Sequence, residues 1–310
     1  MTTSLNLSVG EKELSVYFPK LPLRANKGMM GRLLVVCGSY CADGAAMSGA
    51  AYFAAAAAYR TGAGIVEVFT PKENYSVLAS LVPEAVFSLY SVHENEEQIA
   101  SRLKMAIERS DAVMVGCGLG KSKTAKLLLK SVLTNVGCPL LIDADGLNLM
   151  AEDAALWDLL DSEQRKRTVI TPHPGEMSRL CGKTVSDILA DPSAVACRYA
   201  KEKGIVCLLK DHETVITDGS TVYINHSGNP GMATAGMGDL LAGMIGSMLT
   251  RIGRVEETNV AEIAAVGAYL HGMAGDLASR EIGEYSLMAS DLLSKIPVAL
   301  RSILGKFNKL

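Results

Sequence analysis

Short apolar runs alternate with polar loops and with segments of helical composition through most of the chain. Each run ends in a glycine-rich or polar loop and is followed by a helical segment, such as the alanine-rich residues 45–60. Continuous apolar runs of a few residues are typical of strands that are buried on both faces. The alternation predicts an α/β fold, with a mostly parallel central sheet and helices on both of its faces. The predicted strands are residues 32–37, 65–70, 111–115, 139–142, 168–170 and 205–209.

The polar loops after these runs are the predicted location of a ligand site. In parallel sheets ligands bind at the carboxyl ends of the strands, which is where these loops fall. The early loop at residues 38–44 and the late loop at residues 225–239 are therefore expected to meet at one edge of the sheet. The sequence contains no internal repeat and no low-complexity linker. We predict a lead-in segment over residues 1–26 and a single domain over residues 27–310.

Composition and charge exclude several classes of protein. The chain has 310 residues, a net charge of −3 and few aromatic residues, so neither nucleic acid nor an anionic membrane is an expected partner. Seven cysteines without C-x-x-C spacing argue against a disulfide framework and against a zinc site. The first residues lack the features of a signal peptide, and the small-apolar run at residues 45–58 is too short to span a bilayer. We therefore expect a cytoplasmic protein.

The sharpest chemical signal lies where a glycine-rich turn runs into an apolar helical segment. Gly236, Met237, Gly238 and Asp239 form this junction. Glycines before a helix leave backbone N–H groups open to an anion, and the helix dipole adds positive charge at the same point. Asp239 would then lie beside a bound phosphate, as a general base for an attacking hydroxyl. The alternative is an aspartate that only stabilises the helix dipole.

Other loops carry less specific signals. The chain has no G-x-x-x-x-G-K-[ST] motif, and residues 116–120 do not complete G-x-G-x-x-G, so neither a P-loop nor a dinucleotide fingerprint is supported. The 116–120 loop either lets a backbone approach a ligand or is a tight turn. His173 lies between two prolines and either contacts a ligand or is solvated. Glu176 either caps the next helix or helps to hold a magnesium ion through water.

Two further groups of charged residues follow predicted strands. Residues 210–214 join two apolar runs and either lie along a nucleotide, with Lys210 near its phosphates, or form a charged hairpin tip. Asp143 and Asp145 end another run. They either orient a substrate or metal, or cap the helix that follows.

Together these loops resemble those of the ADP/ATP-dependent NAD(P)H-hydrate dehydratases, a family of the ribokinase-like superfamily. The matching pieces occur in the family's order and cover roughly residues 27–300. The most specific are TPHPGE at residues 171–176 and GNPGMAT followed by GMGD within residues 228–239. The resemblance implies a ribokinase-like fold for the chain. The other matching pieces are residues 27–31, 38–46, 63–64, 116–120, 143–145 and 210–214.

The resemblance also implies a role for each matched residue. Asp239 would be the catalytic base. The anion hole would consist of Gly236, Met237 and Gly238, and Gly238 would also lie near the nucleotide. The residues along ADP or ATP would be Lys210, Asp211, His212, Glu213 and Thr214. The residues in contact with the hydrated nicotinamide dinucleotide would be Ala45, Gly118, His173 and Asp239.

The implied reaction is dehydration of the S epimer of NADHX or NADPHX. ADP, or ATP in eukaryotic members, phosphorylates the hydroxyl on the damaged ring, and phosphate then leaves more readily than hydroxide would. The implied cofactor is Mg²⁺, with Glu176 as a candidate ligand, and the implied assembly is a homotetramer. Many bacterial members carry a fused epimerase domain for which this chain is too short, so a separate NAD(P)HX epimerase is the expected functional partner.

The sequence departs from the family's usual pattern in three places. Met237 stands where threonine is usual, Cys117 stands where proline is common, and residues 211–213 are bulkier and more acidic than the usual glycine-rich loop. These departures leave two alternatives open. One is a small-molecule kinase of the same fold that acts on a vitamin precursor or sugar, and the other is a nucleotide-binding relative without catalysis. The presence of Asp239 argues against the second alternative.

Overall fold

The apolar runs form strands of one sheet in a computed structural model, which describes residues 4–5, 17–40, 46–91, 93–252 and 259–304. In chain order the strands are β1 (Ser4–Leu5), β2 (Arg32–Val36), β3 (Ile65–Pro71), β4 (Val86–Tyr90), β5 (Ala112–Val115), β6 (Leu140–Ile142), β7 (Thr168–Ile170), β8 (Val206–Leu209), β9 (Thr214–Thr217) and β10 (Val222–Asn225). Within the described residues these ten strands lie in the order β1-β10-β9-β8-β7-β6-β5-β2-β3-β4.

The sheet is mostly parallel, as predicted. All neighbouring pairs from β8 across to β4 are parallel, whereas β9 is antiparallel to both β8 and β10. The apolar runs did not reveal β4 or β10. Both strands contain partly exposed positions, so neither is a continuous buried run. The strand order reverses between β2 and β5, and at such a point the loops of an α/β sheet open a crevice.

Helices cover both faces of the sheet, which confirms the second part of the predicted architecture. Leu33 and Val35 of β2 enter one core, and Leu34 and Val36 enter the other, because side chains alternate along a strand. The helices are α1 (Ser48–Arg60), α2 (Tyr75–Leu81), α3 (Glu96–Glu108), α4 (Lys123–Asn135), α5 (Asp145–Glu152), α6 (Ser162–Lys166), α7 (Pro174–Cys181), α8 (Val185–Ala190), α9 (Pro192–Lys203), α10 (Met237–Leu249), α11 (Val260–Ile282) and α12 (Ala289–Leu304).

We call the face of the sheet that carries Leu33 and Val35 the first face, and its core is built around α1 and α10. The alanines of α1 are small enough for another helix to approach closely, and Ala54, Ala57 and Ala58 are fully buried. At Gly243 of α10 an added Cβ would overlap the carbonyl of Ala54. Only glycine fits at this contact, so the two helices touch backbone to backbone. Ser48, rather than residue 45, is the first residue of α1.

The loop after β2 meets the loop after β5 where the strand order reverses. The Gly38 N–H after β2 donates to the Cys117 carbonyl after β5 at 2.9 Å. The meeting of the loops at residues 38–44 and 225–239 stays a prediction, because residues 41–45 lie outside the described residues. No helix within the described residues is long and apolar enough to cross a membrane. The division into residues 1–26 and 27–310 stays a prediction. Tyr17, from the first of these segments, packs into the core of the first face.

Candidate active site

The start of α10 is open at the carboxyl edge of the sheet. Gly236 precedes the helix with a φ of 90°, and no side chain caps it. The helix's own bonding begins with the Leu240 N–H, which donates to the Gly236 carbonyl. The N–H groups of the first turn therefore have no partner within the helix, which is the arrangement that binds an anion. Asp239 lies in this first turn.

Burial and neighbouring carboxylates hold the side chain of Asp239 close to its titration point. Burial is the largest cause, and it raises the pKa of Asp239 to about 6, against a hydrogen bond from the Cys117 thiol that lowers it. The charges of Asp143 and Asp145 raise the pKa of Asp239 further, and the ammonium of Lys210 lowers it. A carboxylate with this pKa is ionised at neutral pH and is basic enough to take a proton from a reacting hydroxyl.

Lys210 faces the open helix start from the end of β8. Its Nζ lies 3.0 Å from Oδ1 of Asp143 and 3.9 Å from Oε2 of Glu176. An added Cβ on Gly238 would lie 3.5 Å from the same Nζ, so the ammonium lies directly beside the first turn of α10. Burial lowers the pKa of Lys210, but Asp143 and Glu176 outweigh burial and keep it above its usual value. The site therefore contains a fixed positive charge.

The 116–120 loop is closely packed as well as next to the site. An added Cβ on Gly116 would overlap the Asp143 carbonyl, and one on Gly118 would lie 2.9 Å from Cβ of Met47. Cys117 is fully buried, and its thiol donates to Oδ2 of Asp143 at 3.4 Å. The pKa of the Cys117 thiol is raised, first by a hydrogen bond with Cys37 and then by burial. Cys117 is therefore a neutral thiol, and its single proton can be donated to Asp143 or to Asp239 but not to both at once.

Asp145 joins the ends of two strands. Its Oδ2 accepts from the Gly120 N–H at 2.8 Å, and its Oδ1 lies 3.3 Å from Nδ2 of Asn148. Asp143 and Asp145 therefore hold different partners, although they follow the same strand. The sequence left open whether they cap a helix or orient a ligand. In the structure Asp143 forms a salt bridge with Lys210, and Asp145 accepts a hydrogen bond from the 116–120 loop.

His173 and Glu176 form a capping box at the start of α7. The Gly175 N–H donates to Nδ1 of His173 at 3.0 Å, and the His173 N–H donates to Oε2 of Glu176 at 2.9 Å. The helix-capping interpretation of Glu176 is therefore confirmed. Burial is the largest cause that lowers the pKa of His173, and the charges of Lys210 and Arg179 also lower it against Glu176. His173 is neutral at pH 7, with its half-exposed ring at the mouth of the site.

The 210–214 loop is the tip of the β8–β9 hairpin, which confirms that structural interpretation. Asp211, His212 and Glu213 lie at the tip, and Thr214 begins β9. The side chain of His212 is 83% exposed, whereas Lys210 points back into the site. Ala45 lies outside the described residues, next to Ala46, which pairs with Tyr40. Within the described residues no group of three histidine, cysteine, aspartate or glutamate side chains is placed to hold a metal ion.

The position of Lys210 opposite Asp143 is the feature of the site that sequence reasoning missed. The two residues are 67 positions apart, and no local pattern links them. The capping role of His173 had a local signal, because a glutamate three positions after an N-cap residue is the usual pattern of a capping box.

The fold and the site together define a ribokinase-like α/β protein with an uncapped helix start at the carboxyl ends of its strands. A ribokinase-like superfamily protein from Enterococcus faecalis is 25% identical, with a TM-score of 0.78 and coverage of 95% of both chains. The ADP/ATP-dependent NAD(P)H-hydrate dehydratase from Bacillus subtilis, solved with ATP/Mg²⁺, is 26% identical, with a TM-score of 0.75 and coverage of 95% of this chain and 97% of that chain.

The family model for NAD(P)H-hydrate dehydratase matches residues 33–298, and the chain belongs to this family. The ADP-dependent (S)-NAD(P)H-hydrate dehydratase of Neisseria meningitidis is 35% identical over 92% of this chain and 88% of the relative. The bifunctional NAD(P)H-hydrate repair enzyme of Moorella thermoacetica is 40% identical over 92% of this chain. The chain spans about half the length of that relative, 52%.

Proposed function

We propose that the chain is an ADP-dependent (S)-NAD(P)H-hydrate dehydratase that repairs damaged nicotinamide nucleotides. The observation that carries the proposal is the open start of α10, where Asp239 faces the ammonium of Lys210. This arrangement supports phosphoryl transfer, which needs positioning and charge neutralisation more than covalent chemistry. The Neisseria relative, whose name states this activity, supports the choice of substrate.

In the proposed reaction Asp239 accepts the proton of the hydrate's hydroxyl as its oxygen attacks the terminal phosphorus of ADP. The P–O bond to AMP breaks, and AMP leaves. The phosphate ester is then eliminated as inorganic phosphate, a C–H proton is lost, and the ring double bond of NAD(P)H is restored. ADP and NAD(P)HX therefore give AMP, phosphate and NAD(P)H. The backbone N–H groups of Gly236, Met237 and Gly238 hold the transferred phosphoryl group.

The other site residues divide between the two ligands. We place the nucleotide along residues 210–214 and beside Gly238, with Lys210 neutralising its phosphates. The dinucleotide lies against Gly118 and His173, at the crevice between β2 and β5. The family resemblance adds a contact with Ala45, which lies outside the described residues. Because Nδ1 of the neutral His173 accepts from the Gly175 N–H, Nε2 carries the proton and is the donor available to an uncharged group of the dinucleotide.

Met237 is compatible with this anion hole. Its side chain is buried in the core of the first face, with 5% exposed. The contribution of position 237 to the anion hole is therefore its backbone N–H, which every residue except proline has. A hydroxyl contact from this position to the phosphate is absent, and we expect weaker phosphate binding than a threonine would give.

Magnesium fits this site as an ion carried by the nucleotide. Asp143 and Glu176 both face Lys210, and Glu176 also caps α7, so neither carboxylate is free to surround a cation. Mg²⁺ keeps several waters and binds chiefly to substrate phosphates in such sites. We therefore propose that Glu176 reaches the ion through water, and the ion would neutralise charge on the phosphates.

One assay tests the proposed function. Purified protein is incubated with (S)-NADHX, MgCl₂ and ADP or ATP, while absorbance of the reduced nicotinamide and formation of AMP are followed. Recovery of NADH together with AMP from ADP supports the dehydratase. A stable phosphorylated alcohol without NADH would identify a small-molecule kinase instead. Nucleotide binding without turnover would identify a non-catalytic relative.

Assembly, location and partner stay proposals of the same family origin. We propose a cytoplasmic homotetramer that works alongside an NAD(P)HX epimerase, which supplies the S epimer from the R epimer. The bifunctional name of the Moorella relative supports this pairing. Light scattering of the purified chain measures the assembly, and addition of an epimerase to an R/S mixture should carry repair from partial to complete.

A further inference from the structure

A cavity lies at the end of the sheet opposite the candidate active site. Its walls include Met30 and Gly62, which lie just before β2 and β3. The cavity is therefore at the amino ends of the parallel strands, whereas α10 presents Asp239 at their carboxyl ends. Its volume is about 780 Å³, which lies within the range of sites for small molecules.

Apolar side chains form much of the cavity wall. Phe18, Leu21 and Met29 come from the segment before β2, and Leu304 comes from the end of α12. Leu21 is 57% exposed and Met29 is 51% exposed, so their apolar surface is open to the cavity. Predominantly apolar walls with a few polar groups are the usual lining of small-molecule sites.

Three cations line the same cavity, and no carboxylate does so among the described residues. They are Lys20, Arg60 and Arg251. Lys20 and Arg60 are exposed and make no salt bridge within the part of the chain that the structure describes. Like charges gathered in a concave apolar wall create a positive potential, which favours an anionic ligand.

Arg251 is held rigidly in this wall. Its guanidinium donates to the carbonyls of Tyr17 and Thr61 at 2.7 and 2.8 Å and lies 4.8 Å from the ring centroid of Phe18. A guanidinium has five N–H donors, so two described bonds leave others for a ligand. Burial lowers the pKa of Arg251 to about 10, and the side chain is still positively charged at neutral pH.

We propose that this cavity binds a soluble amphiphilic phosphate, a small molecule with an apolar body and a phosphate group. The apolar body would lie against Phe18 and Leu21, and the phosphate would lie among the three cations. A phosphate dianion matches three positive charges better than a single carboxylate does, and guanidinium groups bind phosphate through paired hydrogen bonds. A cavity of about 780 Å³ suits a small molecule, since a protein partner needs a broader surface.

Calorimetric titration of the full chain with decyl phosphate, below its micellar concentration, tests the proposal. We expect one molecule to bind per chain, with an affinity that falls as salt is raised. Decyltrimethylammonium has the same apolar body and the opposite charge, and it should not bind. Saturating ADP should leave the affinity for decyl phosphate unchanged, because the proposed nucleotide site lies at the other edge of the sheet.

Charge-removing variants locate the binding. The double variant K20Q/R60Q should bind decyl phosphate about tenfold more weakly, since each exposed charge contributes modestly. Arg24 lies in the same exposed segment but does not line the cavity, so R24Q is the matched control and should bind like the parent chain. Thermal melting checks that all three proteins are folded.

Four outcomes would overturn the proposal. These are the absence of decyl phosphate binding, equal binding of the cationic amphiphile, displacement by ADP, and equal affinity in K20Q/R60Q and R24Q. None of them bears on the proposed dehydratase activity, which is measured separately with NADHX.

Discussion

Two helices, α7 and α10, begin at the carboxyl ends of the strands and differ in how the N–H groups of their first turns are satisfied. At the start of α7 the side chains of His173 and Glu176 satisfy backbone donors in a capping box. At the start of α10 no side chain takes that role, and Gly236 leaves the first turn open. The open start is the costlier one for the free protein, because unpaired donors lose their hydrogen bonds. A bound phosphate would supply the hydrogen-bond acceptors that the N–H groups of the first turn of α10 lack.

The largest expected effect comes from removing the base at the open helix start. Asp239→Asn should lower kcat at least about 1,000-fold, because the amide cannot take the proton. Nucleotide binding, measured by calorimetry, should persist. Asp187 lies in the first turn of α8 and is exposed, so Asp187→Asn is the matched control and should keep its activity. Retained turnover in the Asp239 variant would show that another group is the base.

The next effect comes from removing the cation that faces the helix start. Lys210→Met should lower kcat/KM about 100-fold through lost charge stabilisation. It should also lower the free energy of unfolding, because Asp143 is 2% exposed and would lose its partner. Lys121 forms only an exposed pair with Glu152, so Lys121→Met should be nearly neutral in both measurements. Equal behaviour of the two variants would contradict the assigned role of Lys210.

A smaller effect should follow from opening the capped helix start. Glu176→Ala removes one half of the capping box and should lower the free energy of unfolding by about 1 kcal/mol in urea titrations. Asp187→Ala breaks the capping box of α8 and should cost a similar amount. Only the Glu176 variant should also change the KM for the nucleotide, since only Glu176 lies near Lys210. An unchanged KM would separate the cap from the site.

The smallest effect concerns pH. Because the pKa of Asp239 is raised to about 6, kcat/KM should rise as pH increases through about 6. The linkage has the opposite sign for stability, since a raised folded pKa favours folding below the unfolded value and this contribution is lost as pH rises through about 6. Cys117→Ala removes a donor that lowers the pKa of Asp239, so the activity limb should move to higher pH. Cys117→Ser keeps a donor and should restore the limb, and an unmoved limb in the alanine variant would contradict this account.

Local signals predicted what local physics determines. The strands at residues 32–37 and 111–115 and the open helix start at Gly236 were predictable, because apolar runs and glycines before helices act within a few residues. The pairing of Lys210 with Asp143 was not predictable, since it depends on which strands become neighbours in the sheet. The capping role of His173 was predictable in principle, although histidine is an unusual N-cap residue.

The shape of the ribokinase-like site came from a family resemblance rather than from periodicity. Composition and hydrophobic pattern lead to an α/β sheet with a ligand edge, and many unrelated activities use that architecture. The choice of an NAD(P)H-hydrate over a vitamin or a sugar depends on the loops at residues 171–176 and 228–239. These loops carry the resemblance, and the fold adds the pairing of Lys210 with Asp143 beside them.

The glycine contact between α10 and α1 limits how far α10 can move when a ligand binds at its start. Because Gly243 lies directly on the Ala54 carbonyl, α10 cannot move closer to α1 when the proposed anion binds. The open N–H groups of its first turn therefore need little reorganisation as negative charge develops on a phosphoryl group. Preorganised dipoles of this kind stabilise a transition state most effectively. An alanine at position 243 would therefore act at a distance, by tilting a set of donors that it never touches.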